Sequence, residues 1–396
     1  MTPRVRFIYV SLIPPVGQSG QNSFELGIVP ALDEVCTERP EVDFTAFCSC
    51  RESDEAAANV HVVPLHGKSN KNYMAFQWRL LLALGKDLWK HRRSERVVFL
   101  RYHDSMIAPL VLGFFFNFQL LIRTGPVLPN LKVYDKTPGY FVYHTIRISL
   151  GLLIRRASKT ITVTEQIKQW VIKEYGTPEA KFEILPNAVD TNSFRPRKCE
   201  RSEWGVPQND PLMVFVGLIY NDSGLDTVLH AMANLHRTGS TPPHFLILGD
   251  GPSLQKLVGL SKELGIEQYA HWAGFQSRDR VIAAINASDI CLAPFPRRVF
   301  EVTGSSSLKL FEYLACDRPI FASRADDHAF IERESLGQLV EPENTEAWAT
   351  ALTSIGDWSQ SLDGRGRQFA LNHHSYAAAA SRIIAMGMES IKAKRR

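Results

Sequence analysis

The stretch that most narrows the choice of fold runs from Pro294 to Ser323, PFPRRVFEVTGSSSLKLFEYLACDRPIFAS. The apolar run Ile290–Phe295 reads as a short strand, and a loop holding Gly304-Ser305-Ser306-Ser307 follows it. Leu308–Ala315 has helical spacing, and Pro319–Ala322 is a second strand at once. A strand, a helix and a strand joined this tightly make a βαβ crossover, which belongs to a parallel sheet with helices on its faces. That excludes all-β and simple helical-bundle folds for this part of the chain.

The same order builds an anion site. The first-turn N–H groups of a helix have no partner inside it, and the helix dipole adds positive potential there. Glu312 lies one turn inside the helix, within reach of whatever occupies the mouth. A phosphate on the amides and a carboxylate on a neighbouring diol describe a nucleotide ribose-phosphate. Read on the loop alone, an ordinary crossover whose serines cap the helix fits equally well.

At 396 residues the chain exceeds one ordinary core, so two domains are expected. Apolar residues at 45% and charged residues at 22% describe a globular chain, not a disordered one. The six cysteines show no metal-ligand spacing, and free thiols suit a reducing cytoplasm. No signal peptide is read at the start, because Val5–Leu12 is already a buried strand. The apolar run Met106–Ile122 carries Pro109, Gly113, Asn117 and Gln119, so a helix followed by a strand is expected there, not a membrane span. To Glu200 there are 26 Lys+Arg against 19 Asp+Glu, a net +7, much of it between Lys68 and Arg101. This basic first half is either a solvated face or a contact for anionic lipid or an anionic acceptor. Nucleic acid is not expected, since no recognition motif accompanies the charge.

In chain order, a glycine-bearing loop with Gly17 and Gly20 follows the first strand and precedes a helix. Tyr73–Trp89 is strongly helical, and Arg96–Arg101 is a strand ending at Tyr102-His103-Asp104. Such strand ends line ligand clefts, but a cap on the following helix is the more ordinary role for Asp104. Tyr134–Arg156 reads as a helix with a core face and a basic outer face, or as a membrane-surface helix. Thr160–Thr164, Glu165–Tyr175 and Phe182–Leu185 repeat strand, helix, strand, and the turn Pro186-Asn187-Ala188-Val189-Asp190-Thr191 follows. Arg195–Pro211 has the composition of a linker. A second α/β series then begins with Leu212–Val216 and Gly217, continues through Phe245–Leu248 into Gly249-Asp250-Gly251-Pro252, and through Ala270–Phe275.

These motifs carry a resemblance. Ser307 to Ala315, followed by Arg318-Pro319-Ile320, resembles the nucleotide-sugar signature of the family-4 retaining glycosyltransferases. PNAVDT with Phe194 and Pro196 is similar to the connection that ends their first domain, and Gly249 to Pro252 to their GDGP turn. The likeness is close from Thr160 to Ile355 and one of layout before that. Gly304 stands where the fuller pattern has a second Glu, and Leu218 and Ser223 stand where the family has an Arg and a Lys on the donor diphosphate.

The resemblance implies an α/β chain of GT-B fold: two Rossmann-like domains facing a central cleft, with a C-terminal helix crossing back to the first domain. The implied divisions are an acceptor domain at 1–200, a donor domain at 201–373 and the returning helix at 374–396. The implied activity is metal-independent, retaining transfer of a hexosyl-type sugar from a nucleoside diphosphate sugar to a glycan or lipid-linked hydroxyl acceptor, in polysaccharide or glycolipid assembly. No cofactor beyond the donor substrate is implied, and the setting is the cytoplasm or the face of a membrane. Glu312 is assigned to the ribose, the amides of Ser307 and Leu308 to phosphate, Gly274 and Phe275 to the base, and Gly17, Gly20, Gly217 and Gly249 to close backbone approach. Arg297, Arg298 and Lys309 border the signature loop and are expected to supply the countercharge that Leu218 and Ser223 lack. His103 is an acceptor-side candidate. A GT-B epimerase and a catalytically weak donor-binding subunit are the rival readings.

Overall fold

The structure is a computed structural model that describes residues 5–11, 23–50, 60–64, 70–102, 107–124, 140–358 and 362–395. Contacts divide the chain into two compact units: residues 1–186 with 376–396, and residues 187–375.

Among the described residues the first unit holds seven strands, β1 (Val5–Ser11), β2 (Val42–Cys50), β3 (Val60–Pro64), β4 (Glu95–Arg101), β5 (Gln119–Arg123), β6 (Lys159–Thr162) and β7 (Phe182–Ile184). All pair in parallel, in the order β3-β2-β1-β4-β5-β6-β7. Every residue of β1 is buried, as a strand covered by helices on both faces must be. The apolar stretch from 106 to 122 divides into helix Ala108–Phe115 and β5, as expected from Pro109 and its polar residues. Among the described residues, no helix is long and apolar enough to cross a membrane.

On one face of this sheet lie helices Asn70–Lys90, Ala108–Phe115, Tyr140–Arg156 and Glu165–Tyr175, which share a core with Ile8, Val98, Leu120 and Ile122. The last of these has clear ends: Thr164 caps it by accepting from the Ile167 amide at 3.3 Å, and Gly176 stops it in the left-handed region. Helix Ser23–Thr37 and the C-terminal helix Tyr376–Arg395 pack against each other, and the latter also against β4 and β5. The C-terminal helix thus completes the first unit, with Ile383, Ile384 and Ile391 buried.

The second unit has six parallel strands, β8 (Leu212–Val216), β9 (His244–Leu248), β10 (Ala270–Gly274), β11 (Ile290–Ala293), β12 (Ile320–Ser323) and β13 (Gly337–Val340), in the order β10-β9-β8-β11-β12-β13. The order reverses between β8 and β11, and in doubly wound sheets ligands bind outside the strand ends at that point. The polar stretch 195–211 is packed into this unit: Arg201 ion-pairs with Asp289 and donates to the Asp210 carbonyl, while Arg197 N–H reaches Asn286 Oδ1 at 2.8 Å.

One difference from the sequence reading lies just before the signature. The segment after β11, expected as continuous loop, contains helix Arg297–Thr303. Its sequence RRVFEVT has weak helical propensity, with two β-branched valines. Tertiary packing decides it, because Phe300 is buried edge-on against His328 and Phe295, at 5.2 and 6.2 Å between ring centroids.

Candidate functional site

The switch point of the second sheet gathers the signature helix and three glycine turns. Gly217 follows β8, Gly249 follows β9 and Gly274 closes β10, side by side on adjacent strands. Their backbones are laced together: Gly217 N–H donates to the Leu248 carbonyl at 3.0 Å, and Gly249 N–H to the Gly274 carbonyl at 2.8 Å. A side chain at Gly249 would put its Cβ 1.8 Å from the Gly217 carbonyl oxygen, at a φ of 147°. Only glycine fits there. One built on Gly217 would meet the Lys309 ammonium at 2.9 Å.

Helix Leu308–Ala315 follows β11 and is fixed from below by Tyr313. The fully buried Tyr313 hydroxyl accepts from the Val216 amide at 3.0 Å, tying the helix to the end of β8. The loop in front is held from two sides. Asn187 donates its backbone N–H to Ser306 Oγ at 2.8 Å and its side-chain amide to the Ser306 carbonyl at 2.6 Å. Ser305 N–H donates to Asp327 Oδ2 at 2.8 Å.

Ser307 occupies the capping position, yet its side chain makes no capping bond. The amides of Ser307, Leu308 and Lys309 therefore have no partner among the described residues. A structural cap would have closed this helix end; here the loop is braced by Asn187 and Asp327 and the amino end is left open to an anion.

Lys309 and Glu312, three residues apart, share a face of the helix. The Lys309 ammonium lies 3.8 Å from the centroid of the Phe215 ring and 4.9 Å from that of Phe295. Burial pushes Lys309 down to about 7, against the pull of Glu312. Burial likewise pushes Glu312 up to about 7, while Arg278 and Lys309 favour its ionised form. Neither side chain makes a hydrogen bond or ion pair among the described residues. Two half-buried, unpaired titratable groups beside an open helix end have the electrostatics of a binding site and not of a structural ion pair.

The other candidates are placed as follows. Arg297 is exposed, ion-paired with Glu341, and its amide donates to Glu343. Arg298 lines a cavity of about 510 Å³ together with Tyr220, Ser223, Asp226, Lys256 and Glu343. Phe275 stands 84% exposed beside Gly274, and Leu218 is 63% exposed after Gly217. Ser223 turns its hydroxyl back to the Tyr220 carbonyl at 2.7 Å. Gly17, Gly20 and His103, in the segments that follow β1 and β4, lie outside the described residues.

Two residues at the site escaped the sequence reading. Arg278, held by Asp190 at 2.8 Å, is close enough for its charge to act on Glu312. Its only signal was its place just after Gly274 and Phe275. Asn187 was read as part of a turn, and the loop it braces lies 119 positions away in the chain.

Residues 210–357 match the family Glycosyl transferases group 1, and residues 38–193 match Glycosyltransferase Family 4. Together they account for well over half of the chain. The chain belongs to the family-4 glycosyltransferases. Among its relatives in the family, a D-inositol 3-phosphate glycosyltransferase of Nocardia farcinica is 26% identical over 212 residues, covering 51% of this chain and 46% of that protein. The chain thus spans about half the length of the curated relatives it matches. Sucrose-phosphate synthase from Thermosynechococcus elongatus superposes with a TM-score of 0.70 at 18% identity, over 98% of this chain and 100% of that one. Anabaena HepE, solved in complex with UDP, does so with a TM-score of 0.65 at 15% identity, over 96% and 98%. At these identities the structural likeness is one of fold, and that fold is GT-B.

Proposed function

We propose that this family-4 glycosyltransferase is a retaining enzyme that moves a sugar from a nucleoside diphosphate sugar to a hydroxyl acceptor. The observation that carries the reading is the open amino end of helix Leu308–Ala315, uncapped by Ser307 and placed where the strand order reverses. The Ser307 and Leu308 amides hold the diphosphate, and Gly217 and Gly249 let it approach the backbone. Glu312 takes the ribose hydroxyls, and Gly274 and Phe275 border the base.

Countercharge for the departing diphosphate falls to Lys309, which lies in the first turn of that helix and above Gly217. Arg297 is less suited, being neutralised by Glu341; Arg298 is the second cation. With no protein nucleophile assigned, rate enhancement rests on stabilising the leaving group and holding the acceptor. The first unit is assigned the acceptor, a glycan or lipid-linked hydroxyl. UDP in the HepE structure makes a uridine donor the first to try.

Titration calorimetry with nucleoside diphosphates on Glu312→Ala tests the site. Removing a charged hydrogen-bond acceptor costs about 1.5–3 kcal/mol, so affinity should fall about tenfold to a hundredfold. Unchanged affinity removes the assignment. A panel of labelled nucleotide sugars with membrane extract separates transfer from sugar interconversion and from binding alone.

A further inference from the structure

The outer helices of the first unit present large apolar side chains to solvent where a stable soluble surface would not need them. Nine large apolar residues of this unit stand exposed among those described, and eight are on three helices: Asn70–Lys90, Ala108–Phe115 and Tyr140–Arg156. Single exposed hydrophobics are ordinary, but concentration on one layer is not.

The three helices lie side by side over one sheet face, since their buried residues belong to one core. Gly85 brings the first against Leu112 of the second, and Gly113 brings the second against Arg156 of the third. Faces turned away from the sheet therefore look the same way. Along the first helix Met74, Trp78 and Leu82 recur every fourth residue, with Trp89 two turns on, each 56–64% exposed. Ile148 and Leu152 repeat the spacing on the third helix, and Phe114 and Phe115, 82% and 77% exposed, end the second.

Charge on this layer has one sign. The first helix contains one acid, Asp87, which is turned inward and held by Arg6 at 2.6 Å. Exposed Lys86 and Lys90 flank the apolar row, and Arg92 and Arg93 follow it. Arg155 stands at the corresponding end of the third helix. Because each of the three helices precedes a strand of one parallel sheet (β4, β5 and β6), their carboxyl ends lie at the same edge, where Trp89, Phe114 and Phe115 meet these cations.

We propose that this three-helix layer docks the chain onto a bilayer containing anionic lipid. Aromatic and aliphatic side chains enter the boundary between headgroups and acyl chains, and the lysines and arginines meet lipid phosphates. A second copy of the chain would bring like charges together across the same face, so charge complementarity favours lipid. The proposal is independent of the donor reading, which rests on the second unit.

The test is flotation of the full chain with vesicles of phosphatidylcholine alone and of phosphatidylcholine with one third phosphatidylglycerol, at low and high salt. Binding should require the anionic lipid and weaken with salt. Trp78→Ser with Leu82→Ser, and separately Lys90→Glu with Arg93→Glu, should each reduce it about tenfold, with far-UV dichroism unchanged. No flotation, or flotation of the variants equal to that of the native chain, overturns the proposal. So does a dimer in sedimentation that Trp78→Ser dissociates, since that face would then cover a second copy.

Discussion

Lys309 is an ammonium lying over two aromatic rings, and burial holds it near the point of losing its proton. Glu312 is lifted to the same range from below. For a diphosphate ligand the signs are opposed. Affinity rises with pH as Glu312 ionises to accept the ribose hydroxyls, then falls as Lys309 loses its charge, giving a maximum near neutral pH. Lys309→Arg keeps the positive charge at any working pH, so it should remove the alkaline limb and leave the acid one. Calorimetry from about pH 6 to about pH 9 reads this directly, and a flat profile in the native chain would contradict it. Both residues were legible in the signature, because a motif places side chains relative to a helix end. Their titration was not, because it depends on other elements: Phe215 and Phe295 cover Lys309, and Arg278 acts on Glu312.

Helix Arg297–Thr303 shows how far one element depends on a neighbour. Its Phe300 leans on His328, whose ring is fully buried and faces the Ser323 carbonyl through Nδ1 at 2.9 Å, while Nε2 has no hydrogen-bond partner. Burial pushes His328 down to about 4 from its ordinary value of 6.5. A base whose folded value is depressed adds stability that is full above 6.5 and is lost as pH falls toward 4. The loss amounts to about 3 kcal/mol. Thermal melting followed between these pH values should show it, and His328→Asn, which keeps a donor for Ser323 without titrating there, should flatten the slope. An equal slope in the variant would place the acid sensitivity elsewhere. Nothing in the sequence around His328 announces this, since the rings packed against it, Phe295 and Phe300, lie 33 and 28 positions upstream.

At the level of the whole chain, the C-terminal helix is the covalent afterthought that completes the first unit. Three buried isoleucines on it contribute roughly 5 kcal/mol or more, comparable with the net stability of a domain. A chain ended at residue 186 should therefore be insoluble or melt without cooperativity. The segment 187–375 holds all six strands of its own sheet, so alone it should fold and retain nucleotide affinity. Dichroism and calorimetry on the two fragments decide between these outcomes, and a soluble, cooperative 1–186 would remove the role assigned to the helix.

Local pattern and spacing determined the strands, the helix Leu308–Ala315, the glycine turns and the family, because each is written in residues a few positions apart. The two parallel sheets followed from the alternation of strand and helix. What only the tertiary structure decided depends on distant partners: Asn187 and Asp327 bracing the loop so that Ser307 need not cap, Arg278 acting on Glu312, and the exposed apolar rows aligning on one layer. Periodicity says which side of a helix is apolar; only packing shows which of those side chains are left in the open.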